Sequence, residues 1–382
     1  QLAAAGLDAA AGEWLPRSAT RTFPEPADAQ GLPADADALR GLSEAGWALL
    51  GRLPLRSRRN AAEKQAGELI VRQLAELVWR FGRSYREPLY RALSEEFTRP
   101  LRVDEALWSA AERWPGLVPT REQVREEALR MQSDKDGREI AQGVLVSQLL
   151  HDRRCGTHLL LSMLQPTAEA LERLDEFVAK GRLDLGTVRV EAKGPCGYLY
   201  FHHPRTLNAE DDDTLGPQEV ATDLILLHPE LRMGVLRGEP VDHPKYRGRR
   251  VFSAGLNLTR LYHGKLPYLF YLLRDLGFVN KLYRGHARPD FRLDEPVDTA
   301  EKPWLAVVEA FAIGGGCQLL LVMDYVIAEQ GAYLNLPARK EGIIPGCANL
   351  RLPRFVGEAV ARQGILFDRT FAVDEPAAAA LV

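Results

Sequence analysis

Cysteine is scarce in this sequence, with four in 382 residues (Cys155, Cys196, Cys317 and Cys347), and no two of them form a CxxC pair. That excludes a disulfide scaffold and the common zinc modules, and widely spaced thiols read as reduced cysteines of a cytoplasmic protein. Cys155 and His158 make a lone C-x2-H with nothing nearby to complete a ligand set, so no metal is expected. Long apolar runs are missing too: the run ending at Met323 stops at Asp324, far short of the roughly 18 residues a membrane span requires. Charge of one sign is also lacking. Lys and Arg number 49 against 52 Asp and Glu, a net charge of −3, which supplies no global field for nucleic acid or an anionic membrane. The opening Gln1-Leu2-Ala3-Ala4 has neither the charged segment nor the apolar core of a secretion signal. Without an initiator methionine, the numbering is expected to begin inside a longer gene product. An enzyme or a binding protein remains.

What is present suits a globular chain: 46% hydrophobic and 26% charged residues, material for one large or two ordinary domains. Residues 1–60 are rich in Ala, Asp, Pro and Gly and read as irregular structure with short helices. From 61 to 183 helical patterning dominates. Leu69, Ile70, Leu74, Leu77 and Val78 recur at spacings of three and four, and Thr167 is placed to cap a helix starting at Ala168. From 184 to 382 strands alternate with helices. Strands are expected at 187–190, 197–201, 234–236, 251–253 and 304–308, a helix-like stretch is expected to begin at 223–227, and another helix covers 318–323. Such alternation predicts an α/β domain with parallel pairing, preceded by an all-helical extension over 1–183.

Two glycine-bearing turns stand where strand gives way to helix: Ser253-Ala254-Gly255-Leu256-Asn257-Leu258 and Ala312-Ile313-Gly314-Gly315-Gly316-Cys317-Gln318. Glycine there lets the backbone approach a ligand and leaves N–H groups free at a helix N-terminus. Two such groups converging on one oxygen form an oxyanion hole, worth on the order of 3 kcal/mol per donor to a developing negative charge. Taken alone, each reads first as an ordinary tight connection.

Their order along the chain is more specific. His203-Pro204-Arg205-Thr206-Leu207-Asn208-Ala209 is followed by Ser253–Asn257, Lys302-Pro303-Trp304, the glycine triplet, Leu336-Pro337 and Gly342-Ile343-Ile344-Pro345-Gly346. This series resembles the crotonase (enoyl-CoA hydratase/isomerase) superfamily over roughly residues 187–382. The resemblance implies a core of stacked ββα units, a homo-trimer or hexamer, an acyl-CoA ligand, and a thioester oxygen held by the Leu256 and Gly315 N–H groups. It also implies further helices beyond Val382. The two glutamates of the hydratases correspond to Gln318 and Ala338, neither of which exchanges a proton as a carboxylate does, so hydration is not expected. Glu341 lies three residues out of register and reads first as a structural charge.

Within the superfamily, Asn208–Asp213, the triplet with Gln318, and Leu336–Gly346 resemble the branch of cofactor-independent dioxygenases that act on 3,5-dihydroxyphenylacetyl-CoA in glycopeptide antibiotic biosynthesis. That branch also carries a long helical N-terminal extension. The likeness implies O2 as co-substrate, no metal or organic cofactor, release of CoA, and no nucleic-acid or membrane partner. It assigns Leu256, Gly315, Gln318 and Arg274 to catalysis. It puts Glu210, His243 and Arg274 around the dihydroxyphenyl ring. Pro244, Lys245, Tyr246, Ala254, Gly255, Asn257, Leu258 and Arg205 border the acyl-CoA, and Ile343 and Ile344 line an apolar pocket for O2. Taken singly, Arg274 reads as a solvated helix residue and His243 as a turn residue. The base is not identified. A thioesterase, decarboxylase or isomerase using the same hole, or a non-catalytic acyl-CoA-binding protein, stays open.

Overall fold

The computed structural model describes residues 2–7, 9–24, 28–294, 299–343, 346 and 348–382. Its backbone forms two compact units. One comprises residues 1–163 with 259–272 and 292–296; the other comprises 164–258, 273–291 and 297–382.

The first unit is helical: α1 (Ala9–Thr20), α2 (Leu32–Leu50), α3 (Ala61–Leu93), α4 (Val103–Arg113), α5 (Arg121–Glu127), α6 (Ile140–His151) and α7 (Arg153–Met163). Its spine is α3, 33 residues long and started by a capping box in which Asn60 accepts from the Glu63 N–H and Glu63 reaches back to the Asn60 N–H. Ile70, Leu74, Leu77, Phe81, Tyr85 and Leu89, three or four apart, are buried along one side of α3. Each such side chain contributes about 1.5–3 kcal/mol on leaving water. The N-terminal 60 residues are more regular than their composition predicts, because α2 runs for 19 residues. Its small residues serve close packing, not irregularity: a β-carbon on Gly46 would stand 2.6 Å from the Trp14 ring and 2.8 Å from Leu74.

The second unit begins with α8 (Ala168–Lys180), and Thr167 caps it as expected, accepting from the Ala170 N–H. Then come β1 (Arg182–Asp184), β2 (Val188–Lys193), β3 (Cys196–Phe201), α9 (Asp212–Leu227) and β4 (Met233–Gly238). The chain enters the helical unit through α10 (Leu258–Tyr262) and α11 (Leu269–Leu273). It re-emerges as a π-helical turn, Arg274–Val279, and α12 (Asn280–Arg284). There follow β5 (His286–Ala287), β6 (Thr299–Ala300), β7 (Trp304–Val308), β8 (Phe311–Ile313), α13 (Gly315–Leu320), β9 (Tyr325–Ala328), β10 (Tyr333–Asn335), α14 (Ala338–Glu341), α15 (Ala348–Phe367) and β11 (Thr370–Ala372).

A six-stranded sheet runs β1-β2-β3-β4-β7-β9, antiparallel over β1-β2-β3 and parallel from β3 to β9. A three-stranded sheet, β11-β10-β8, carries the parallel pair β8–β10. The alternating burial of Trp304, Ala306 and Val308 on β7 is the period of two that marks a strand with one covered face.

Three sequence expectations are corrected. Residues 223–227 end a helix instead of beginning one, because Asp211 caps α9 much earlier by accepting from the Asp213 N–H. Residues 251–253 form no ladder, only a single bridge between Ser253 and Ala312, as the Val251 carbonyl is taken by the Asn208 side chain. The helix expected at 318–323 is α13, displaced toward the triplet. The compact units also differ from a contiguous division at 183/184. Helix α8 groups with the sheet unit, packed on α9 and β1, and residues 259–272 rejoin the helical one. No helix among the described residues is long and apolar enough to cross a membrane.

Candidate active site

The two glycine turns meet. Ser253 bridges Ala312 in parallel, its carbonyl accepting from the Ile313 N–H at 3.0 Å. Gly255, at φ +78°, lies so close to the triplet that a β-carbon there would stand 2.6 Å from the Ile313 carbonyl oxygen and 2.9 Å from the Gly315 nitrogen. Gly314 takes φ 52°, ψ −117°, open in practice only to glycine, and the next residue starts α13. Among the described residues, neither the Leu256 nor the Gly315 N–H donates to a backbone carbonyl. Two free donors thus sit on abutting turns.

Beneath them lies a buried ion pair. Arg274 Nε donates to Glu210 Oε1 and Nη2 to Oε2, both at 3.0 Å, a bidentate contact between side chains 6% and 2% exposed. Nη2 also donates to the Gly315 carbonyl at 2.9 Å, and Nη1 donates to Asp275 Oδ1 at 3.0 Å and Gln318 Oε1 at 3.3 Å. Every one of the five guanidinium N–H donors therefore has an acceptor within the protein. Burial alone would lower this guanidinium's pKa; the Glu210 and Asp275 carboxylates outweigh it and hold the group firmly cationic. Gly346 closes over the same cluster, since a β-carbon on it would stand 3.1 Å from Gln318 Oε1 and 3.2 Å from Asp275 Oδ2.

Glu210, Arg274, Gln318, Gly315, Gly255 and Leu256 are thus brought together. The other predicted residues lie around them or apart. Ala254 donates its N–H to the Leu207 carbonyl at 3.0 Å and, like Tyr246 and Tyr333, packs against the buried cluster that contains Val251 and Phe311. His243, Pro244, Lys245 and Tyr246 form a loop whose Tyr246 ring meets Phe311 edge-on at 5.1 Å, with the His243 ring 5.8 Å from Tyr246. Among the described contacts, none joins His243 to Glu210 or Arg274. Burial tends to raise the Tyr246 pKa, but hydrogen bonds from Lys245 and Tyr333 outweigh it and bring it down; burial and Tyr246 push Tyr333 up to about 12. Asn257 directs its amide to Asp211 Oδ2 at 2.8 Å. Leu258 and Arg205 are exposed, and Ile343 is half-buried with its N–H on the Ala338 carbonyl. Ile344 lies outside the described residues.

The enoyl-CoA hydratase/isomerase family model matches residues 247–382. Over 335 residues the chain is 44% identical to the (3,5-dihydroxyphenyl)acetyl-CoA 1,2-dioxygenase of Amycolatopsis orientalis, covering 87% of this chain and 76% of that protein. The chain belongs to the crotonase family. Crotonyl-CoA hydratase of Syntrophomonas wolfei is 29% identical over 179 residues, 46% of this chain and 59% of that one. A solved putative enoyl-CoA hydratase/carnithine racemase from Magnetospirillum magneticum overlays 52% of this chain and 68% of its own at 22% identity, with a TM-score of 0.41.

For a crotonase-family chain, the position of Gln318 is informative. Its amide oxygen is fixed by Arg274, so it serves as an acceptor in the cluster and exchanges no proton. Ala338 opens α14 and carries no acid, and Glu341, at the far end of that helix, is exposed. Cys317 is buried behind the triplet, and burial pushes its thiol up to about 12, so it remains protonated and unreactive.

Two contributors escaped the sequence reading. Asp275 shares Arg274 Nη1 with Gln318; an Arg-Asp dipeptide amid apolar residues was its only signal. Asn208, at φ 55°, follows Leu207 at φ 57°. Its side chain accepts from the His203 N–H at 2.8 Å and donates to the Val251 carbonyl at 2.7 Å, holding two left-handed residues beside the Ala254 turn.

Proposed function

We propose that the protein is a dioxygenase converting (3,5-dihydroxyphenyl)acetyl-CoA and O2 to 3,5-dihydroxyphenylglyoxylate and free CoA. The observation that carries this reading is the 44% identity to a dioxygenase of that substrate over 87% of the chain, an alignment too long to be confined to the sheet unit.

The chemistry balances without an added redox agent. The benzylic carbon loses two hydrogens and becomes a ketone bearing one oxygen atom of O2; the other oxygen replaces sulfur on the carboxylate, and the thiol leaves with a proton. Removing the first benzylic proton gives an enolate spread over ring and thioester. The free Leu256 and Gly315 N–H groups are the donors to stabilise its oxygen in a site that needs no reorganisation. An electron-rich enolate reduces O2 directly, so the reading assigns no metal or organic cofactor. Gln318 supports it: a neutral amide offers hydrogen bonding but no acid to return the proton. Ile343 and Ile344 are assigned the apolar pocket for O2. The loop from His243 to Tyr246 and the stretch from Ala254 to Leu258 are assigned to acyl-CoA, with exposed Arg205 and Lys245 toward its phosphates. A homo-trimer or hexamer in the cytoplasm completes the reading.

The test is O2 uptake by chelator-treated protein with 3,5-dihydroxyphenylacetyl-CoA, with thiol release followed in parallel. One O2 consumed per CoA released supports the proposal. CoA release without O2 uptake makes the protein a thioesterase, and binding without turnover makes it an acyl-CoA-binding protein.

A further inference from the structure

The helical unit carries a hollow that the proposed reaction leaves unused. A cavity of about 300 Å³ lies between α2, α3 and the segments 115–123 and 137–141, and its lining belongs wholly to residues 1–163. Packed interiors leave few voids larger than a water molecule, and small-molecule sites start at about 300 Å³. We propose that this cavity binds a small monocarboxylate with an apolar body, and that Arg138 is the partner of its carboxylate. The inference goes beyond the dioxygenase reading and uses none of the residues assigned to it.

The walls are apolar and fixed by the backbone. Leu74 and Val78 of α3 line the cavity with Leu117 and Val118, and all four are buried. Gly116, at φ 87°, presses on α2 so closely that a β-carbon on it would stand 2.9 Å from the Arg40 Cα. Pro115 and Pro119 stiffen the same segment. A capping box then locks it to α5: Gln123 Oε1 accepts from the Thr120 N–H at 3.0 Å, and the Thr120 hydroxyl accepts from the Gln123 N–H at 3.2 Å. A cavity formed in advance spends little on ordering its walls when a ligand enters.

One cation of the lining has no acceptor. The Arg138 guanidinium lies 4.3 Å from the centroid of the Trp47 ring, a cation–π contact on the cavity wall. Among the described residues the Arg138 side chain makes no hydrogen bond or ion pair with a protein acceptor. The acids nearby are committed elsewhere or face solvent. Glu127 spends both oxygens on the Asp136, Gly137 and Arg138 N–H groups, Asp136 pairs with Arg59 at 2.8 Å, and Glu126 is exposed. Burial accordingly outweighs these carboxylates and lowers the Arg138 pKa from its ordinary value. A half-buried guanidinium set against apolar walls is completed by an anion. Exposed Glu44 is the other charged residue of the lining, so one negative charge on a ligand balances Arg138, whereas a phosphate dianion does not. Ser43 and Gln123 add neutral polar groups.

The experiment titrates the full chain with benzoate and hexanoate, and with the neutral benzamide and hexanamide, followed by saturation-transfer NMR and calorimetry. Wild type is compared with Arg138→Met and with Ala141→Leu, which fills the hollow and keeps the arginine. Circular dichroism and the thermal midpoint report folding. Wild type is expected to bind at least one of the carboxylates saturably and its amide at least about tenfold more weakly, the loss of one hydrogen bond to a charged group. Each folded variant is expected to weaken carboxylate binding by about tenfold or more. If Arg138→Met does not fold, Ala141→Leu and the amides carry the test between them. Equal affinity for acid and amide would overturn the inference, because the cation would then recognise nothing. Carboxylate binding unchanged in either folded variant would place the probes elsewhere and overturn it too, as would the absence of saturable binding to wild type. The assay reads binding alone, so its outcome is independent of O2 uptake and of CoA release.

Discussion

Gly255 and Gly315 come from turns sixty residues apart in the chain, yet a β-carbon on the first would stand 2.9 Å from the nitrogen of the second. This proximity makes one site of two ordinary-looking turns. It also means that neither turn can be altered without moving the other.

Gly255→Ala is therefore expected to cost far more activity than stability. The positive φ of 78° costs an L-residue on the order of 1 kcal/mol. The added methyl also pushes on the Ile313 carbonyl and the Gly315 nitrogen. CoA release should fall by about 100-fold or more while the protein stays folded, the loss associated with one misplaced donor. Near wild-type turnover would mean that the two turns do not form the hole.

Gln318→Glu restores one of the hydratase carboxylates without its partner, since the second position is Ala338. The new carboxylate would share Arg274 Nη1 with Asp275, and two like charges on one nitrogen raise the pKa of at least one of them. The resulting acid is placed to return the proton to the enolate. O2 uptake should drop at least about tenfold, within the range of a positioned acid or base, while benzylic exchange in D2O persists. No hydration of an enoyl-CoA should appear.

Lys281 is fully buried and donates to both Asp223 oxygens, at 2.8 and 3.0 Å, and lies 2.8 Å from Glu219; His286 approaches the same Asp223 at 2.8 Å. Lys281→Met strands buried carboxylates and should destabilise the sheet unit by about 3–5 kcal/mol, read as a fall in the thermal midpoint. The double change Lys281→Met with Asp223→Asn should recover part of the loss.

His158 gives a pH dependence to the helical unit. Burial pushes its imidazole down to about 4, only partly opposed by the Phe97 carbonyl. Folded protein thus holds the ring neutral between Tyr90 and Phe97 while the unfolded chain takes up a proton. Stability is lost as pH falls from the ordinary histidine value toward 4. Urea midpoints measured at neutral pH and at pH near 5 should differ less in His158→Gln than in wild type; equal differences would exclude this histidine as a source.

The fold class was legible because period-two and period-four patterning survives in β3, β7 and α3, and the two turns were legible as a site only through their order among the other motifs along the chain. Thr167 announced its helix by residue type alone. The ends of α9 and the length of α2 were not legible. Asp211 capping α9 looked like one acid in a run of four, and the small residues of α2 look like loop until Trp14 packs on Gly46. The grouping of Glu210 with Arg274 and Gln318 was legible only through family resemblance, since 64 residues separate the first two and nothing local marks either as buried. That Arg274 spends its donors on the protein follows from geometry that no sequence pattern carries.

The most direct test of the central claim is turnover of 3,5-dihydroxyphenylacetyl-CoA under 18O2, with the product reduced at once to fix its ketone oxygen. Both product positions, the former ketone and the carboxylate, should each carry one 18O atom. A carboxylate oxygen drawn from water, or an unlabelled arylacetate in place of the glyoxylate, would contradict a dioxygenase and leave a thioester hydrolase in its place.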